Sequence, residues 1–177
     1  MSSKLTLWLS GLLMLAGCQQ TIHPPMSTVD QVDLNKFMGS WYVIASIPTF
    51  LEKDISNAIE TYHLNQDGTV GTVFTYHIDG PQGPQKTMTG KAFIKDASHA
   101  KWDMQFIWPI KADYRIVYLA PDYSLVIVGR EKRDYVWVMS RTPHLSDSTY
   151  QEMKKLIQQW GYNTDKLEKV PQVWTKQ

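Results

Sequence analysis

The chain has 177 residues, with 18 Lys and Arg against 17 Asp and Glu, a balance that excludes the one-signed basic surface by which nucleic-acid binders hold phosphate. Its single cysteine excludes an internal disulfide, so the folded part must be held by packing. The length is that of one domain with room for a sizeable core.

The chain opens with Lys4 and then LTLWLSGLLMLAG, an apolar run too short to cross a bilayer as a stable helix of about 20 residues, but long enough for the core of a secretory signal. Small residues, Ala16 and Gly17, stand directly before Cys18. The stretch LAGC resembles the lipobox of bacterial lipoproteins. That resemblance implies a diacylglycerol on the Cys18 sulfur, removal of residues 1–17 as a signal peptide, and acylation of the new N-terminus. Gln19, where an aspartate would signal retention, implies by resemblance to Gram-negative sorting signals a lipid anchor in the cell outer membrane, on its periplasmic face. An ordinary signal peptide with an incidental cysteine is the competing reading. Residues 18–32 carry Pro24 and Pro25 among polar residues and read as a lipidated tether. The domain proper then runs over 33–177, with no second apolar stretch long enough to span a membrane.

Short strands bounded by turn signals follow, after a turn of helix in DLNKFMG. They are predicted at 41–47, ending at Pro48; 58–64, before the hairpin signal Asp67-Gly68; and 69–78, running into DGPQGP. Five more fall at 86–94, 101–107, 114–119, 124–129 and 135–140, the segment 108–114 being either a lid or an ordinary turn. Helical spacing appears only afterwards, with Tyr150, Met153, Leu156, Ile157 and Trp160 on one stripe, Asp147 and Ser148 at its start and Gly161 past its end. The pattern predicts an all-β fold, a sandwich or an eight-stranded up-and-down antiparallel β-barrel, with a C-terminal α-helix packed outside. Eight strands is the count at which a closed barrel can enclose one small ligand.

Three short sequences decide in favour of the barrel. GSWY, with Gly39, Trp41 and Tyr42, opens the first strand and resembles the Gly-x-Trp-Tyr signature of lipocalins. APDY resembles their second motif, keeping Asp122 and Tyr123 but carrying Pro121 in place of threonine. SRTP, with Arg141 and Pro143, closes the eighth strand like their third motif. Order and spacing agree over the whole mature chain. The resemblance implies that Trp41 plugs the closed end of the barrel beneath the Arg141 guanidinium, a scaffold role and not ligand chemistry. It implies too that the unlipidated domain can pair as a homodimer.

Strand alternation, phased on the lipocalin pattern with Trp41 inward, assigns the lumen. The first strand then offers Val43 and Ala45, the second Glu60 and Tyr62, the third Thr72, Phe74 and Tyr76, and the fourth Met88 and Gly90. The later strands add Met104 and Phe106, Ile116 and Tyr118, then Tyr135 and Trp137; the seventh strand is not phased. This lining of aromatic and thioether surface with a few hydroxyls suits a ligand with an acyl chain and a polar end, unless the barrel is filled by its own side chains. Glu60 is the exception, since a carboxylate in an apolar barrel must be paired, protonated or near the wet mouth. A register slip of one residue would exchange it for Ile59 and Thr61. No metal spacing exists among the five histidines, His23, His63, His77, His99 and His144, and no nucleophile elbow or phosphate loop occurs. The reading is therefore a non-enzymatic lipid-binding lipocalin without a cofactor, taking a fatty acid or lysophospholipid for storage or transport in membrane maintenance. The alternatives are an isomerase-type enzyme built on Glu60 and an envelope interaction module with a solid barrel.

Overall fold

The computed structural model describes residues 23–50 and 52–174. Cys18 and the cleavage site before it lie outside the described residues. Helix α1 (Leu34–Phe37) leads into β1 (Gly39–Ile47), β2 (Ser56–Leu64), β3 (Val70–His77), β4 (Gln85–Ile94), β5 (Lys101–Ile107), β6 (Ile110–Leu119), β7 (Leu125–Gly129) and β8 (Val136–Ser140). Each strand pairs antiparallel with the next, and β1 pairs with both β8 and β2. The sheet is thus a closed eight-stranded barrel with no free edge.

Strand direction defines two ends. At the closed end lie α1 and the loops 65–69, 95–100 and 120–124; the loops 48–55, 78–84, 108–109 and 130–135 surround the mouth. Helix α2 (Asp147–Gln159) is capped by Ser146, whose hydroxyl accepts from Thr149 N, and it buries Tyr150, Met153 and Ile157. These pack on Ala45, Ile47, Val117, Ile127, Val136 and Val138, the outward side chains of β1, β6, β7 and β8. Three such burials stabilise the docked helix by about 1.5–3 kcal/mol each. The chain returns through a short 3-10 turn to β9 (Glu168–Lys169), which pairs with Ala45 and Ser46.

Two differences from the sequence reading concern the ends of elements. Strand β6 starts at Ile110, so most of the segment 108–114 is ladder, paired with β5 around a two-residue turn at Trp108-Pro109. It is a hairpin and not a lid. The second concerns residues 23–32, part of the segment 18–32 read as a tether. They form a strap along the barrel: Pro24 O accepts from Arg133, Val29 N donates to Ile116 O, Val32 N donates to Ser98 O, and Met26 and Val32 are buried.

Candidate functional site

Side chains inside the barrel fall into a filled lower half and a hollow upper half. The floor is aromatic. Phe37, Trp41, Tyr62, Trp102 and Tyr114 are buried together, with Trp102 stacked on Tyr114 at 5.0 Å and 6° between planes. Edge and tilted contacts join Phe37 to Trp41, Tyr62 and Trp102. This buried cluster packs the interior at the end where α1 lies.

The three motifs meet at that end. Trp41 Nε1 donates to Phe37 O, and the Arg141 guanidinium lies 3.7 Å from the centre of the Trp41 ring. Arg141 also donates to the carbonyls of Lys36, Phe37, Met38 and Ser40, the last turn of α1 and the entry to β1. Tyr123 binds the other side of α1, accepting at its hydroxyl from Asp33 N. Gly39 has φ +93°, a conformation that favours glycine, and its missing Cβ would lie 3.4 Å from Arg141 Nη1. Tyr42 points outward onto Trp174, and Pro143 follows in the bend after β8. Burial lowers the Arg141 pKa, without threatening its charge.

Above the floor is a cavity of about 290 Å³, open at the mouth. Its wall is formed by Phe74, Met88, Met104, Phe106, Tyr135 and Trp137 of the predicted set, together with Glu60. Val43, Tyr62 and Ile116 also point inward but belong to the packed interior below. Tyr76 packs at the margin of the same cluster, tilted against Phe74 at 5.0 Å. Gly90 faces Thr72 across the ladder, and a Cβ there would come within 3.0 Å of Phe106 and Thr72, so its absence makes room for the Phe106 ring.

Two predicted lumen residues face the other way. A bulge between Val43 and Ala45 inserts one residue into β1, and Ala45 is thereby turned onto the helix side, buried against α2. An irregularity between Ile116 and Tyr118 does the same in β6, where Tyr118 lies with the α2 cluster. One extra residue reverses the parity of every side chain beyond it. The lining also includes residues absent from the predicted set: Ile110, Ala112 and Tyr114 of β6, Val128 and Arg130 at the end of β7, Met139 of β8, and Thr49, Phe50 and Glu52 of the first mouth loop. Alternation carried the signal for several of them. Ile110, Ala112, Tyr114 and Ile116 share one parity, as do Trp137 and Met139. The loop residues had no periodic signal.

Glu60 faces inward, paired across the ladder with Trp41 and Phe74. The predicted parity of β2 therefore holds, and the slip to Ile59 and Thr61 does not occur. Its carboxylate accepts from Thr72 Oγ1 at 3.0 Å. Burial pushes its pKa up to about 7, the hydrogen bond from Thr72 pulls it down, and the nearby Glu52 charge adds to the rise. Below it, the Tyr62 and Tyr114 hydroxyls share a 2.7 Å hydrogen bond, and burial raises both phenol pKa values well above the ordinary one. Most other polar groups of the wall are engaged. Glu52 accepts from Trp137 Nε1 and Thr49 N, and Asp113 accepts from Arg115 and Glu131 N. Arg130 lies over the Tyr135 ring and pairs with Asp134, while its buried Nε has no partner.

Histidines on the barrel serve local structure. The His63 ring covers Gly71, His77 Nδ1 meets Gly83 O, and His99 Nδ1 meets Val32 O. Among the described residues no group of three His, Cys, Asp or Glu could hold a metal ion.

Comparison with known proteins places this fold in one family. The family model described as a lipocalin-like domain matches residues 32–172. The chain belongs to the lipocalin family. Temperature-induced lipocalin-1 of Arabidopsis thaliana is 32% identical over 157 residues, covering 83% of each chain. Outer membrane lipoprotein Blc of Escherichia coli (strain K12) is 28% identical over 167 residues, covering 93% of this chain and 90% of the relative. Among solved structures, insecticyanin of the tobacco hornworm Manduca sexta superposes with a TM-score of 0.65 at 17% identity over 87% of both chains. At that identity the likeness is one of fold. In this lipocalin, Trp41 and Arg141 are thus the scaffold pair and the upper cavity is the candidate binding site.

Proposed function

We propose that this lipocalin binds a single-chain amphiphile, a fatty acid or a lysophospholipid, in the upper half of its barrel, and holds it at the outer membrane for storage or transport in membrane maintenance. The observation that carries this reading is the blind cavity of about 290 Å³. Its wall is mostly aromatic and thioether surface, with Glu60 and the Tyr114 hydroxyl as polar groups at depth and others toward the mouth. That volume stands at the lower end of small-ligand pockets, which run from about 300 to 1,000 Å³, and suits one chain but not two. The hollow upper half argues against a barrel packed solid for surface interactions alone.

The location is supported by the lipobox around Cys18 and by relatives named outer membrane lipoprotein. A lipid on Cys18 would act as the anchor. Native mass spectrometry of the protein with mixed phospholipids tests the ligand class: one fatty acid or lysophospholipid per chain supports the reading, and uptake of none refutes it.

A second reading rests on Glu60, a carboxyl with a pKa near 7 on the cavity wall, which has the poise of a general acid or base. Turnover of an unsaturated lipid that disappears in Glu60→Gln would favour it over binding alone.

A further inference from the structure

Isolated exposed apolar side chains such as Leu64, Val173 and Trp174 are ordinary, but the four most exposed large ones among the described residues gather at one end. Phe50 is 76% exposed, Trp108 83%, Ile110 65% and Ile107 53%. Phe50 belongs to the loop between β1 and β2, the other three to the hairpin between β5 and β6, on the opposite side of the mouth. Phe50, Ile107 and Ile110 also line the cavity, so the apolar surface is continuous from the rim into the calyx. Rim charges are of both signs, with Lys53, Lys111, Arg130 and Lys132 against Glu52, Asp54, Glu131 and Asp134. Attraction to a charged partner does not explain the cluster. A tryptophan at the tip of an apolar turn does have a preferred surrounding, the boundary of a bilayer.

The strap supplies an independent observation. It leaves the closed end near Ser98, climbs past Ile116, and reaches the mouth end, where Pro24 O accepts from Arg133 in the β7–β8 loop and the His23 ring lies against Gly161. From His23 to Cys18 are five residues, which span at most ~18 Å at ~3.3–3.6 Å each. A ten-residue strand such as β6, tilted by about 40°, gives the barrel a height of roughly 25 Å. An anchor at Cys18 therefore cannot reach back past the closed end.

We infer that the protein sits mouth-down on a lipid bilayer, with Phe50, Ile107, Trp108 and Ile110 entering the interface and the cavity opening directly onto the lipid. The anchoring half of this inference rests on the lipidation proposed above; the apolar rim stands apart from it. A single-chain amphiphile would then pass between bilayer and calyx without crossing water. Because the contact is apolar, it should be insensitive to salt.

Tryptophan emission of the full, processed chain reconstituted in phosphatidylcholine vesicles with brominated acyl chains tests the orientation. Emission should be quenched, Trp108→Phe should remove at least half of the quenching, and Trp174→Phe should leave it unchanged, since Trp174 packs on Tyr42 against the outer wall of the barrel. Circular dichroism checks that Trp108→Phe, at an exposed position, keeps the fold. A chain that incorporates labelled palmitate and floats with vesicles, yet is quenched equally in Trp108→Phe, overturns the orientation alone. Loss of quenching in Trp174→Phe in place of Trp108→Phe also overturns it. A chain that takes up no palmitate overturns the anchor; added unlipidated to the same vesicles, it upholds the orientation if quenching still depends on Trp108 and overturns that too if no quenching occurs.

Discussion

Arg141 lies 3.7 Å above the Trp41 ring and at the same time donates to four backbone carbonyls between Lys36 and Ser40. The cation is therefore not only a partner of the indole but the clamp that ties α1 to the barrel floor. Trp41→Ala should lower stability by about 3–5 kcal/mol through the cavity left among Phe37, Tyr62 and Trp102. Arg141→Ala should cost about 2–3 kcal/mol. Arg141→Lys should recover little of this, because one ammonium cannot present the planar set of donors that four carbonyls require. Chemical denaturation of the three variants measures all of these values.

Glu60 makes stability depend on pH in a defined window. Its carboxyl is raised from 4.5 unfolded to about 7 folded, so the folded state holds the proton more tightly. The stabilisation is fully present below about 4.5 and is lost as pH rises through 7, by up to about 3 kcal/mol. Glu60→Gln should remove this fall. Denaturation midpoints of wild type and Glu60→Gln should converge near pH 4.5 and separate in favour of the variant by pH 8; parallel curves would show that the carboxyl does not titrate in this range.

Filling the cavity should block ligand without unfolding the barrel. Met88→Trp and Ala112→Phe both project into the open upper half, where added bulk costs about 1–3 kcal/mol at most. Displacement of a fluorescent fatty acid should be abolished with circular dichroism unchanged. Ala45→Phe is the contrasting variant. Its side chain points to the α2 layer, so it should destabilise the protein and leave the affinity of the folded fraction intact.

Cys18→Ser should prevent lipid attachment. Labelled palmitate should no longer be incorporated, and the protein should leave the outer-membrane fraction. Retention of both properties in the variant would refute the lipobox reading.

Period-two alternation, the hairpin signals and the late helical stripe were enough to place eight strands and one helix, because each is a local consequence of backbone geometry and of which faces must be buried. The Trp41–Arg141 pair was implied by the resemblance of GSWY and SRTP to lipocalin motifs, and it forms because the start of β1 and the end of β8 meet where the barrel closes. Alternation also placed Glu60 correctly, since β2 runs without irregularity from Ile59 to Leu64. What sequence could not contain were the bulges after Val43 and Ile116, which turn Ala45 and Tyr118 onto the helix. A bulge leaves no mark in polarity when both faces of a strand are buried, one against the lumen and the other against α2. The division of the lumen was equally invisible. Tyr62 and Phe74 obey one rule of parity, yet one is sealed into the floor and the other lines a cavity, because depth along a tilted barrel is set by the stagger of all eight strands together. The mouth was decided in the same way: Phe50 and Trp108 are 58 residues apart in a chain that only closure brings to one rim.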